Sequence, residues 1–132
     1  MSRERLSLTE DIRVAILAHA EGCRPEECCG LLASDPTGRV RFAYPLTNSD
    51  HRTDRYTVEP SEHFGALMHA ESSGWEISGV FHSHPQGQPA PSRVDIERAL
   101  DPTWTYLITD GSVIKGFRIV EGAVSEMEIV IS

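Results

Sequence analysis

The closing third of the chain sets the tightest limit on its fold. Three runs of strand-forming residues, 104–109, 113–120 and 123–131, are separated only by short turns at Asp110-Gly111 and Glu121-Gly122. Such glycine-bearing pairs supply the positive φ that a tight turn needs, so neighbouring runs fold back antiparallel. A three-stranded meander needs something to cover its apolar face, and the rest of the chain must supply it.

The earlier residues alternate helix and strand. Thr9 is a plausible N-cap, with Glu10 and Asp11 in a first turn where negative charge suits the helix dipole. Ile12, Ala15, Ile16 and Ala20 then mark one helical face, and Gly22 is a natural stop. Gly30-Leu31-Leu32-Ala33 reads as a short buried strand, turned by Asp35-Pro36-Thr37-Gly38 into a second strand over 40–46. Residues 47–55 are polar loop, and Tyr56-Thr57-Val58 is a short extended piece. Pro60-Ser61-Glu62 opens a second helix carrying Phe64, Leu67, Met68 and Glu71 as far as Gly74. An interior strand is expected over 77–84, a loop over 85–91, and a third helix from Ser92 to about Leu100, with Ile96 and Leu100 toward the core. The expectation is an α/β domain: a mixed β-sheet flanked by helices, spanning 1–132 as one unit.

Composition excludes several functions. The 132 residues carry 12 Lys and Arg against 20 Asp and Glu, a net charge of −8, which argues against nucleic acid or anionic lipid as main partner. No apolar run has the length of a secretory signal or a membrane span. Cys23, Cys28 and Cys29 are an odd number crowded together, a poor disulfide framework, so a reduced, cytoplasmic setting is expected. They also lack the second Cys/His pair that a zinc knuckle requires.

The chemistry is concentrated in His82-Ser83-His84-Pro85 and the following Pro91-Ser92-Arg93-Val94-Asp95. Histidines two apart on a strand project from the same face. Ser92 and Asp95, three apart on a helix, share a face as well. Two imidazoles and one carboxylate suit Zn²⁺ with a fourth position open, although Fe²⁺ or Mn²⁺ fit the same donors. The residues also have a plainer explanation: two core histidines, and Ser92 with Asp95 as a helix-capping pair. Capping and metal ligation compete for the Asp95 lone pairs, and ordinary capping does not call for a paired-histidine strand just upstream.

His82-x-His84-Pro85-x5-Pro91-Ser92-x2-Asp95 resembles the metal motif of the JAMM (MPN-plus) metalloproteases. Glu27-Cys28-Cys29-Gly30-Leu31-Leu32 resembles that family's Glu-x-Cys-Gly-x-Leu strand, and the Cys-Gly register selects Glu27 over Glu26. Leu46-Thr47-Asn48 and Tyr56-Thr57-Val58-Glu59-Pro60 are weaker echoes. The resemblance implies a curved mixed sheet in the three-layer architecture shared with cytidine deaminases. It implies Zn²⁺ held by His82, His84 and Asp95, Glu27 as general base and then acid, and Ser92 as hydrogen-bond donor to the oxyanion.

Family members hydrolyse the bond after the C-terminal Gly-Gly of ubiquitin or ubiquitin-like proteins. This chain has little room for the insertions that grip ubiquitin, so it resembles the compact bacterial peptidases acting on ubiquitin-like sulfur-carrier proteins. The alternatives are an isopeptidase for other ubiquitin-like conjugates and a non-catalytic MPN scaffold. A zinc deaminase is set aside, because its H-x-E and P-C-x-x-C signature is missing. Arg93 is expected at the surface, Cys29 as a packed residue, and Trp75 and Trp104 as packing residues. His19, His51, His63 and His69 receive no role.

Overall fold

The computed structural model describes residues 3–132. The chain runs β1 (Arg5–Leu8), α1 (Glu10–Cys23), β2 (Cys29–Ser34), β3 (Val40–Leu46), α2 (Pro60–Ser72), β4 (Glu76–Ser83), α3 (Arg93–Arg98), β5 (Thr105–Thr109), β6 (Ile114–Val120) and β7 (Ala123–Ile131). The strands form one mixed sheet in the order β1-β7-β6-β5-β4-β2-β3. The β4–β5 and β1–β7 pairs are parallel and the others antiparallel. The closing meander is present as the turn residues demand. β1 is an addition to it: the sequence pattern gave no sign of this four-residue strand, which pairs with β7 from the other end of the chain.

Period-two alternation sorts the sheet into two apolar layers. Leu32, Phe81, Leu107 and Met127 face α1, where Ile12, Ile16 and Ala20 meet them. Leu31, Val80, Tyr106, Ile108 and Phe117 face the other way, under Ala66 and Ala70 of α2 and Ile96 of α3. Each fully buried large aliphatic or aromatic side chain contributes about 1.5–3 kcal/mol relative to exposure. The sheet packs tightly at Gly30, where a Cβ would overlap the Phe81 ring and the Tyr44 carbonyl, so only glycine fits there.

The helices depart from the sequence reading in detail. Thr9 caps α1 by accepting from the Ile12 N–H at 3.2 Å, as expected. Ala15 is exposed, however, and the buried stripe is Ile12, Ile16 and Ala20 alone. Gly22 lies inside the helix, which ends instead before Pro25, because a residue preceding proline disfavours the α region and Arg24 is extended (ψ 139°). α2 buries alanines and turns Phe64 and Met68 to solvent. α3 stops at Arg98, and Ala99 is extended, so Leu100 never completes the helical stripe and is 88% exposed rather than in the core. Among the described residues no helix is long and apolar enough to cross a membrane.

Candidate active site

Sheet register brings Glu27 and the two histidines to one place. Cys29, opening β2, lies opposite His82 near the end of the antiparallel strand β4. Two residues earlier along β2's direction is Glu27, and two residues later along β4's direction is His84. All three therefore sit on the same face at the same end of the sheet. Cys28 N–H donates to Ser83 Oγ at 2.7 Å, tying the two segments together on the opposite face. His84 lies one residue past the β4 boundary, yet its N–H still donates to the Thr109 carbonyl at 2.8 Å, so it keeps the strand's alignment.

The β4–α3–β5 crossover supplies the remaining groups. Pro85 ends the strand, and the chain returns through α3 over the carboxyl ends of the parallel strands, where α/β sheets collect their functional groups. Ser92 caps α3: its Oγ accepts from the Asp95 N–H at 3.1 Å, and Asp95 Oδ2 accepts from the Ser92 N–H at 2.8 Å. That same Oδ2 lies 3.1 Å from His82 Nε2 and 3.1 Å from His84 Nε2. One atom thus serves both sides of the expected competition: Oδ2 accepts the capping bond, and that bond aims it at the imidazoles.

The two histidine nitrogens are 3.2 Å apart, so His82, His84 and Asp95 form a nearly equilateral triangle of donor atoms. Donors about 2.0–2.1 Å from a tetrahedral zinc are separated by roughly 3.3 Å. Tautomer chemistry points the same way. His84 Nδ1 is 2.8 Å from the Gln88 carbonyl, which can only accept, so Nδ1 carries the hydrogen. Nε2 of a neutral His84 then turns a lone pair toward the Asp95 oxygen, an arrangement that needs either a second proton or a cation between them. The residues present therefore fit a divalent metal. Glu27 is grouped with the histidines within 4.8 Å. Unlike Asp95, it makes no hydrogen-bond-range contact with either ring, and its Oε1 is buried without a partner. This places Glu27 beside the triangle rather than in it.

Burial and charge set the titration of the cluster. Burial pushes Glu27 up to about 7, with His84 opposing the rise and Asp95 and Asp54 adding to it. Burial also depresses His82, outweighing the Asp95 contact. At His84 burial acts downward too, but Asp95, the Gln88 carbonyl and Glu27 together raise it. For Asp95 burial acts upward, and the bonds from His82, His84 and the Ser92 amide hold it far below the usual carboxylate range.

All five residues singled out from the sequence, Glu27, His82, His84, Ser92 and Asp95, thus lie at one end of the sheet. Glu26 is outside the cluster, pairing with His51 at 3.2 Å. Arg93 is exposed and paired with Glu97, and Cys29 is packed in the interior. Two neighbours escaped the sequence reading. Tyr56 stacks on His82 with ring centroids 4.6 Å apart, and Ser83 makes the bond to Cys28 already described. Tyr56 lies in a motif echo, but nothing in its spacing tells which ring it will meet. His19, left without a role, donates through Nε2 to the Cys29 and Leu46 carbonyls, both at 3.0 Å, and so braces the start of β2.

A model of the prokaryotic homologs of the JAB domain matches residues 9–121. The chain belongs to that family. A desampylase of Haloferax volcanii is 42% identical over 115 residues, covering 82% of this chain and 82% of that protein. A CysO-cysteine peptidase of Mycobacterium tuberculosis is 28% identical over 127 residues, 92% of this chain and 87% of its own length. The solution structure of a Desulfitobacterium hafniense protein superposes with a TM-score of 0.87 at 35% identity, over 96% of this chain and 92% of that one. The fold is the curved, mixed-sheet α/β architecture of JAB-domain proteins, and the chain is a JAMM-type hydrolase.

Proposed function

We propose that the protein is a zinc peptidase that hydrolyses the bond after the C-terminal Gly-Gly of a ubiquitin-like sulfur-carrier protein, working in the cytoplasm as a single domain. The observation that carries this reading is the triangle of His82 Nε2, His84 Nε2 and Asp95 Oδ2, with Glu27 buried beside it. The carrier substrate is supported by relatives named desampylase and CysO-cysteine peptidase, and by a chain too short for added ubiquitin-gripping insertions.

His82, His84 and Asp95 would hold the metal. Zinc bound there supplies Lewis acidity, lowering the pKa of water toward about 7 and polarising the scissile carbonyl. Glu27 takes the proton from the attacking water and delivers it to the leaving amine. Burial raises the pKa of Glu27 and a cation at the triangle would lower it again, so both protonation states that the two transfers need are accessible. Ser92 Oγ already accepts from the Asp95 amide, which leaves its hydroxyl hydrogen free to meet the oxyanion of the tetrahedral intermediate. His84, fixed through Gln88, and His82, covered by Tyr56, keep their Nε2 atoms aimed at the centre.

Intact-mass measurement on candidate carriers extended beyond Gly-Gly tests the reading. The expected products are the carrier ending in Gly-Gly and the released extension, from zinc-loaded protein with about one metal per chain. Cleavage only of lysine-linked conjugates would move the substrate to other ubiquitin-like conjugates. Failure to bind zinc or cut either class would leave a scaffold role.

A further inference from the structure

Glu27 needs an external means of orientation, because its Oε1 has no partner and it lies outside any strand. Its two backbone polar groups both end in the loop between β3 and α2. The Glu27 N–H donates to the Arg52 carbonyl at 2.8 Å. The Glu27 carbonyl accepts from Asn48 Nδ2 at 3.1 Å. Asn48 is 5% exposed, and its amide is used at both ends. Nδ2 also donates to the Arg55 carbonyl at 3.0 Å and approaches the Arg52 carbonyl at 3.5 Å, while Oδ1 accepts from the Asp50 and Thr57 N–H groups at 3.0 and 3.1 Å. Every partner is main chain, so the orientation of the amide is fixed: carbonyls only accept and N–H groups only donate.

We infer that Asn48 is a positioning residue for Glu27: its side-chain amide closes the 48–57 loop through Oδ1 and, through Nδ2, clamps the Glu27 backbone so that the carboxylate faces the His82–His84–Asp95 triangle. This rests on the proposed role of Glu27 in proton transfer. Asn48 touches none of the three ligand candidates, so it acts on proton transfer and not on metal retention. A buried asparagine that ties a second segment to its loop does more than close a turn: the Oδ1 bonds and the Nδ2 bond to Arg55 serve the loop, while the Nδ2 bond to the Glu27 carbonyl leaves it.

The test is a double-mutant cycle on zinc-loaded protein, using a sulfur carrier extended by one residue beyond Gly-Gly. Asn48→Ala is expected to lower kcat by about 10–100-fold with KM within about threefold and zinc content unchanged. In a Glu27→Gln background the same substitution is expected to cost less than about threefold, because the group it positions is already disabled. Equal losses in both backgrounds, or loss of zinc, would overturn the assignment. Asn48→Asp keeps the acceptor bonds to Asp50 and Thr57 but cannot donate to Glu27 or to the Arg55 carbonyl. It is expected to behave as Asn48→Ala does, and wild-type turnover in it would reduce Asn48 to a loop closer. Backbone hydrogen exchange reads the same clamp without turnover: the Glu27 amide is expected to exchange at least about tenfold faster in Asn48→Ala, with β4 amides unchanged. Unchanged exchange at Glu27 overturns the inference. Absence of wild-type turnover overturns only the hydrolase reading, and exchange then decides the role of Asn48.

Discussion

His82 and His84 reach the site along one edge-protected strand and Asp95 reaches it from a capped helix, whereas Glu27 arrives between α1 and β2 with no ladder of its own. The first three are aimed by repeating backbone geometry: the period of β4, its pairing with β5, and a capping box. Glu27 is aimed by single hydrogen bonds to a distant loop. The difference separates two jobs. Ligand atoms must hold fixed mutual distances of 3.1–3.2 Å, while a proton carrier must serve first the water and then the leaving group.

Substitutions on the two sides are expected to fail in different ways, and the largest effect belongs to the rigid side. Asp95→Ala removes one corner of the triangle and one arm of the capping box. Zinc content measured after dialysis is expected to fall to background and turnover to vanish, with about 1 kcal/mol of helix stability lost besides. Retained stoichiometric zinc would mean that Glu27 completes the ligand set, and the division between the two sides would collapse. On the other side, Glu27→Gln keeps shape and burial but cannot carry the proton. It is expected to retain zinc and lose about 10²–10⁴ in kcat. Full turnover in that variant would remove Glu27 from the mechanism.

Ser92→Ala probes the seam between the halves, because one hydroxyl both caps α3 and faces the proposed oxyanion. A kcat loss of about 10²-fold is expected, together with about 1 kcal/mol of stability. Ser92→Thr keeps cap and hydroxyl, so kinetics beside a denaturant melt separate the two roles. If the threonine variant regains stability but not rate, the hydroxyl geometry matters beyond the cap. If neither variant changes the rate, the oxyanion role of Ser92 is lost.

The same comparison explains how much of the site was legible in the sequence. His82, His84, Ser92 and Asp95 declare themselves because strand and helix periods turn short spacings into shared faces. Glu27 was separable from Glu26 only through the Cys-Gly register of a family motif. No local period says that Glu26 goes out to His51 while Glu27 goes in, since the deciding contact is Cys29 against His82, far away along the chain. Tyr56 on His82 and Asn48 on Glu27 are of that non-local kind too. In the fold, the meander and the β2–β3 hairpin followed from turn residues, but β1 did not. Four residues have too little pattern to announce a strand whose partner, β7, closes the chain. Leu100 was misplaced for a related reason: an apolar residue at helical spacing counts only if the helix lasts, and α3 ends at Arg98.

A last expected effect sharpens the comparison without substrate. In metal-free protein, prepared with a chelator, Glu27 is a buried acid whose folded pKa, about 7, lies above its ordinary value of 4.5. Its protonated form favours the folded state, so the stability it allows is fully present below the ordinary value. It is lost as pH rises toward 7, because the unfolded chain ionises first. Above pH 7 both states are ionised and the loss is complete. Glu27→Gln never ionises and escapes this loss. Denaturant melts should therefore show the variant and the wild type differing little from this source at pH 4. By pH 8 the variant should lead by roughly 3 kcal/mol, most of the gap opening between pH 5 and 7. A gap independent of pH would place Glu27 in water rather than in the desolvated position its backbone clamp implies. Adding zinc should narrow the gap at pH 8, because a divalent cation at the neighbouring triangle favours the ionised carboxylate.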